Sequence, residues 1–349
     1  MSNYDQFAAA VKEISGGKNI VLLDDLGLPS VYVPINKLKN SEIISGGSEN
    51  THPAFSVDGV EKSRFLYSKY QNIVINGRAY SLSHRDPKTY VNFDQARQAC
   101  EAKGAGFHLG TLAEWAAVAL LTRKMGTMPH GNNNYGGDSA YTYEKGQESA
   151  KDNNKTGRTF TGSGPATWGH DHTQFGIQDM NGNVWEWLGG MRLNEGEIQI
   201  IPYNNAALGS ECDMSASSTL WKAIKNDGSL VAPGTAATLK YDFVSGNIQL
   251  TTGITSAQDA GRGGSYTAMT LASGVTAPEL AKALILYPDE PGKDYGGDYH
   301  WMNNAGERLP IAGGSWYIGA DAGVFHLDLG YARSHSGGAV GFRSAYVEL

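Results

Sequence analysis

The sequence predicts an α+β fold rich in loops, and three observations predict it. Forty-five glycines against 12 prolines in 349 residues describe a β-containing chain with many turns rather than a helical bundle. Two stretches, 92–103 and 111–120, combine helical periodicity with helix-start chemistry. Around 325–330 the chain instead alternates with period two. Phe325, Leu327 and Leu329 fall on one side and His326, Asp328 and Gly330 on the other, the pattern of a strand with one buried face.

Length and charge narrow the function classes. A chain of 349 residues can bury a sizeable core as one large domain or two. A net charge of −7 without any run of Lys or Arg lacks the basic footprint that nucleic acid requires. No apolar run approaches a membrane span, so membrane insertion is not expected. The opening MSNYDQFAAAVKEISGG has no apolar stretch behind a basic start, so no secretion signal is expected. Cys100 and Cys212 form no metal or redox spacing, which points to burial or a reducing compartment.

Taken in order, 3–14 reads as a short amphipathic helix with Phe7, Val11 and Ile14 on one stripe, ended by Gly16 and Gly17. Stretches 20–23 and 30–35 are strand-like. Residues 1–52 form an N-terminal extension, read either as an extra strand layer or as an attachment or oligomerisation arm. Next, 64–70 and 72–75 read as strands. Asn92 caps a helix whose stripe is Phe93, Ala96, Ala99 and Cys100, and Gly104 ends it. Thr111 and Glu114 form a capping box for a second helix with Leu112, Trp115, Ala116, Ala119 and Leu120 on its apolar stripe. Residues 132–163 are loop by composition. Between 188 and 310 lie strand-like runs at 197–202 and 245–251, turns at 226–228 and 261–264, and a short helix starting near Pro278 and Glu279. This stretch either braces the C-terminal segment or forms a separate receptor or assembly surface.

The last stretch, 313–346, reads GGSWYIGADAGVFHLDLGYARSHSGGAVGFRSAY. A frame of Gly313, Gly314, Ser315, Trp316, Phe325, Leu327, Leu329, Arg333, Gly341, Phe342 and Arg343 interleaves with chemically miscellaneous positions: Tyr317, Ile318, Asp321, His326, Asp328, Gly330, Tyr331, His335, Gly337, Gly338 and Ala339. GGSW followed by GFR, with HLGTLAEWAAVAL and FGIQDMNGNVWEWLGGM upstream, resembles the formylglycine-generating (sulfatase-modifying factor) family, a variant of the C-type lectin fold. Within it, the spacing from GGSW to GFRSAY resembles the variable region of a diversity-generating retroelement target protein. Miscopied adenines in such proteins turn AAC codons into any NNC codon, which cannot encode Trp, Met, Gln, Lys or Glu. None of those five types stands at the miscellaneous positions. The resemblance implies two helices flanking twisted antiparallel sheets in a domain over 53–349, an insertion at about 189–310, and a variable region at 313–346.

The resemblance also raises an enzyme and then weakens it. The family's oxidases hold copper on a cysteine pair between GGSW and GFR, and this chain has no cysteine after Cys212. Thiolates are the ligands that suit copper(I), and nothing in 313–346 replaces them. Nor does the chain carry the histidine-triad helix of the related iron-dependent sulfoxide synthases. An enzyme is therefore not expected. His170-Asp171-His172 would put two imidazoles on one face of a strand, but it lacks a third ligand and reads as a solvated loop. For 294–300 (DYGGDYH) the readings are a share in the binding face or a tight turn with stacked tyrosines. By position, the resemblance implies a structural calcium held by the side chains of Asp179 and Glu186 and the carbonyls of Gly182 and Val184. The plainer alternative is that Glu186 hydrogen-bonds backbone. No other cofactor is expected.

The expectation is a hypervariable binding protein. Tyr317 and Tyr331 supply contact area, Asp321, His326, Asp328 and His335 supply polar selectivity, and Gly330, Gly337 and Gly338 leave space. The partner implied is a protein or glycan receptor on the surface of a target cell. The implied setting is a phage tail tip, made in the host cytoplasm and carried in the virion with other tail components, as a trimer that adds avidity. The alternatives are the parent family's copper oxidase and a bacterial surface-displayed or cytosolic interaction module.

Overall fold

The computed structural model describes residues 3–349 and is α+β, with a few helices packed on twisted sheets. The two expected helices are capped as their sequences dictate. The Asn92 side chain accepts the Gln95 N–H in front of Phe93–Glu101. Thr111 accepts the Glu114 N–H in front of Leu112–Met125, and Gly126 closes that helix at φ 71°, where a Cβ would be strained. The second helix is not amphipathic in its surroundings. Every residue from Leu112 to Leu120 is buried, because the helix runs through the middle of the domain.

One antiparallel sheet runs in the order Ile20–Leu23, Pro29–Asn36, Arg64–Ser68, Ser344–Tyr346, Phe107–Leu109. The N-terminal hairpin extends one edge of this sheet, with Tyr32 opposite Ser68 and Ile35 opposite Phe65. The C-terminal strand lies inside the sheet, between Arg64–Ser68 and Phe107–Leu109.

A second, larger sheet runs Arg262–Ser265, Tyr299–Met302, Leu327–Tyr331, Glu307–Ala312, Met191–Asn194, Glu197–Ile200, Lys240–Val244, Asn247–Thr251, Thr270–Leu271. Trp185–Trp187 joins it through Glu307–Ala312 and pairs in parallel with Val340–Phe342. The strands of 188–310 are therefore continuous with the strand of the last segment. Leu193, Ile198, Tyr241, Leu286 and Tyr287 share one core with Trp115, Phe325 and Leu327.

One expected turn is a strand. Gly261, Arg262, Gly263 and Gly264 suggest a turn by composition, yet Arg262–Ser265 pairs antiparallel with Tyr299–Met302. Close approach explains the glycine at 263, where a Cβ would stand 2.5 Å from the His300 carbonyl oxygen and 2.6 Å from the Trp301 ring.

Candidate functional site

The segment 313–346 is held at both ends by backbone geometry that its sequence specifies. Gly313 and Gly314 both have φ near +90°. A Cβ on Gly313 would lie 2.8 Å from the Met180 carbonyl, and one on Gly314 would lie 2.5 Å from the Ala322 side chain. Trp316 is buried, its indole N–H donating to Asp152 at 3.0 Å. At the far end Val340–Phe342 runs parallel to Trp185–Trp187, and Phe342 is buried.

Between these ends the frame residues face the core. Phe325 is fully buried, stacked on Tyr266 at 5.5 Å and edge-on to Tyr295 at 4.9 Å. Its backbone N–H donates to the Asp298 carboxylate at 2.7 Å. Within 294–300, Tyr295, Asp298 and His300 thus pack beneath the last segment, while Asp294, Gly296 and Gly297 are exposed. Leu327 and Leu329 are buried on a strand that pairs with Tyr299–Met302 on one side and Glu307–Ala312 on the other.

The interleaved positions fall outward with one exception. Tyr317 and Asp321 are exposed, and Ile318, Asp328, Gly330, Tyr331, His335, Gly337, Gly338 and Ala339 are half-buried. Tyr331 and His335 lie ring to ring at 4.1 Å, and Tyr331 also packs on the core. The exception is His326, which is completely buried, edge-on to Trp185 at 4.6 Å, with no hydrogen-bond partner on either ring nitrogen. His300 is buried in the same state. Burial holds both imidazoles down to about 3, far below the ordinary histidine value. The expectation that His326 supplies selectivity at the surface is corrected. Period two separates two faces of a strand but does not say that the second is open, and here the neighbouring layer covers it at 326.

Electrostatics on this face are muted. The Asp328 carboxyl accepts the Gly330 N–H at 2.8 Å along the strand, and burial pushes it up to about 7. Burial also raises Asp321 and lowers His335. Beneath the face, Asp298 is pushed up to about 8 by burial. It lines a cavity of about 260 Å³ with His130, Tyr141, Asn181 and the 322–324 backbone. Tyr141 stacks on His130 at 3.7 Å and remains 41% exposed. Tyr90, also exposed, stands where a Cβ on Gly338 would come 2.9 Å from its hydroxyl. Tyr90 and Tyr141 are the aromatic neighbours of the last segment that sequence reasoning missed. Both sit in loops without periodicity, so no local pattern placed them.

The expected calcium donors converge, with one difference. The carbonyls of Gly182 and Val184 and the Glu186 carboxylate face one point, joined by the Asp179 carbonyl. Asp179 and Asn183 have φ of 60° and 61°, and with Gly182 they bend the chain around that point. The Asp179 side chain points elsewhere, which corrects its expected role: Oδ2 accepts the Gly162 N–H at 2.8 Å, Oδ1 has no partner, and burial pushes the carboxyl up to about 6. Glu186 does not bond backbone but forms a buried pair with Arg343, whose Nε and Nη2 each lie 2.5 Å from a carboxylate oxygen.

The remaining reactive groups are structural. Cys100 and Cys212 are free, buried in one core cluster, and held protonated by burial, Cys212 at about 11. Neither lies between GGSW and GFR, where the family's copper-binding pair stands. His170 is buried rather than solvated. It accepts the Ile177 N–H at 2.9 Å, while His172 bonds the Met128 carbonyl at 3.0 Å. Among the described residues no group of three or more His, Cys, Asp or Glu is placed to hold a metal ion. Among them, too, no helix is long and apolar enough to cross a membrane.

Comparison with known proteins gives a family. Residues 39–269 match the FGE-sulfatase family, described as the sulfatase-modifying factor enzyme 1-like domain. No curated protein matches the chain. Solved structures similar to it include Treponema denticola variable protein 1, at 12% identity over 94% of this chain and 98% of that one, with a TM-score of 0.34. Another is the Major Tropism Determinant P3c variant, at 10% identity over 94% of this chain and 71% of that one, with a TM-score of 0.32.

Proposed function

The chain belongs to the sulfatase-modifying factor enzyme 1-like family, and from that premise we propose that it is a hypervariable binding protein rather than an oxidase. One observation carries the proposal. In 313–346 the frame residues Trp316, Phe325, Leu327, Leu329 and Phe342 are buried, while all the interleaved positions but His326 lie on the outer side. A surface so divided tolerates replacement of its outer residues without loss of the core. The missing thiol pair supports binding over oxidation, because both thiols of the chain are packed in a core cluster.

The ligand we propose is a protein or glycan receptor on a target cell. Tyr317 and Tyr331 serve as the amphipathic contacts, joined by Tyr141 from the scaffold. The finer setting, a phage tail-tip protein carried in the virion and diversified by a retroelement, rests on the motif resemblance of 313–346.

Replacing Tyr317 and His335 together by Ser tests the proposal. We expect an unchanged fold by circular dichroism and loss of adsorption to the target cell. Adsorption that persists in the folded variant overturns the reading of this face. Sequencing the neighbouring DNA tests the retroelement: we expect a near-copy of the 313–346 coding segment with adenines at the interleaved codons, beside a reverse transcriptase gene.

A further inference from the structure

The point on which the expected calcium donors converge holds a side chain. The Gln71 amide nitrogen donates toward the Val184 carbonyl at 2.9 Å, the Glu186 carboxylate at 3.1 Å, the Asp179 carbonyl at 3.1 Å and the Gly182 carbonyl at 3.4 Å. Gln71 is completely buried. These are hydrogen-bond distances, and a calcium ion needs oxygens at about 2.3–2.6 Å, typically six to eight of them.

The orientation of the amide is set by its neighbours. The Thr159 N–H donates to Asn183 Oδ1 at 2.8 Å, and a backbone N–H has only one polarity. That fixes Asn183 with its Nδ2 toward Gln71 Oε1, at 2.8 Å. Gln71 must then turn its NH₂ group, which only donates, toward the four oxygens. Turned over, the amide would set an oxygen against four acceptors and an Asn183 donor against a Gln71 donor. Charge is also balanced, since the one carboxylate of the cradle, Glu186, is gripped by Arg343.

We infer that the side-chain amide of Gln71 occupies the cation position of this cradle, so that the chain carries its own replacement for calcium. The partial positive charge on an NH₂ group serves where four oxygens converge, and the domain needs no metal at this point. The inference is independent of what the outer face binds.

The full chain, passed over chelating resin, is melted in EDTA and in millimolar CaCl₂. A cation bound only by the folded chain must raise the melting temperature, so we expect the two values to agree within about 1 °C. Terbium is the second probe, with Trp185 and Trp187 on the strand of Glu186 as sensitisers. No saturable emission is expected from the native protein. A calcium-dependent rise in melting temperature, or terbium emission displaced by calcium, overturns the inference. Gln71→Glu puts an acceptor-only carboxylate into the cradle. We expect this variant to melt lower in EDTA, to regain at least about half of the loss in calcium, and to sensitise terbium. A folded Gln71→Glu protein indifferent to both ions overturns the inference as well. If that variant does not fold, the two native measurements decide alone.

Discussion

Trp115 donates its indole N–H to the Val324 carbonyl at 2.7 Å, deep inside the domain. Through this bond the central helix fixes the backbone one residue before Phe325, at the turn into the outward-facing strand. Trp115→Phe keeps a ring in the site and leaves that carbonyl without this donor. We expect a loss of about 1–3 kcal/mol from the unpaired group, with a further packing loss from the smaller ring. Urea denaturation of the variant measures it. A change below about 0.5 kcal/mol would show that the bond does not anchor the turn.

The division between frame and outer face predicts graded stability losses. Phe325→Ala removes a fully buried ring that touches Tyr266 and Tyr295, and should cost about 3–5 kcal/mol. Tyr317, at 47% exposure, should cost within about 0.5 kcal/mol when changed to Ser. Tyr331 falls between, because half of it packs on the core and on His335. We expect Tyr331→Ser to cost about 1–2 kcal/mol, more than a freely displayed residue would. Equilibrium denaturation of the three variants under one condition gives the order, and any other order contradicts the division.

The buried histidines predict an acid limb. His300 and His326 sit near 3 in the folded chain and near 6.5 when unfolded, so the unfolded chain binds the extra protons between those values. Stability from this source is complete above about pH 6.5 and declines as pH falls toward 3. His326→Leu removes one of the two. We expect its stability relative to the native protein to rise by roughly 1 kcal/mol or more between pH 7.5 and pH 4.5. Denaturation at the two pH values tests this, and a pH-independent difference would contradict it.

Asp298 predicts the opposite limb. Its carboxyl sits near 8 when folded and near 3.8 when unfolded, so the folded chain keeps a proton that the unfolded chain releases. Stability from this group is complete at acid pH and declines as pH rises from about 4 to 8. Asp298→Asn can still accept the Phe325 N–H and has no proton to lose. We expect its stability relative to the native protein to be greater at pH 9 than at pH 5 by roughly 1 kcal/mol or more. Equal behaviour at both pH values would show that the native carboxyl is ionised throughout.

Much of the fold was legible because local rules agreed with tertiary demand. The capping residues Asn92 and Thr111, the glycines after the helices and the paired glycines at 313–314 each stand where backbone geometry needs them. The inward set Phe325, Leu327 and Leu329 came from period alone. The unread parts depend on which layer covers which. Burial of His326 comes from packing against Trp185, more than a hundred residues upstream, and no local pattern announces it. Gly263 looked like turn chemistry because a glycine required by an approaching strand and a glycine required by a turn are the same letter. In the same way the motif located three of the four oxygens around Gln71, those of Gly182, Val184 and Glu186, but not the Asp179 carbonyl or the amide that faces them.

The placement of Ser344–Tyr346 inside the first sheet, rather than at its edge, has a consequence for inheritance. On the proposed diversification, the interleaved codons, which end at Ala339, lie immediately upstream of Arg343 and of this strand. A copying error that shifts the reading frame within 313–346 replaces both. The product then lacks the partner of Glu186 and exposes two sheet edges, those of Arg64–Ser68 and Phe107–Leu109. We expect such a chain not to fold. On that reading the strand Ser344–Tyr346 acts as a checksum on the stretch before it.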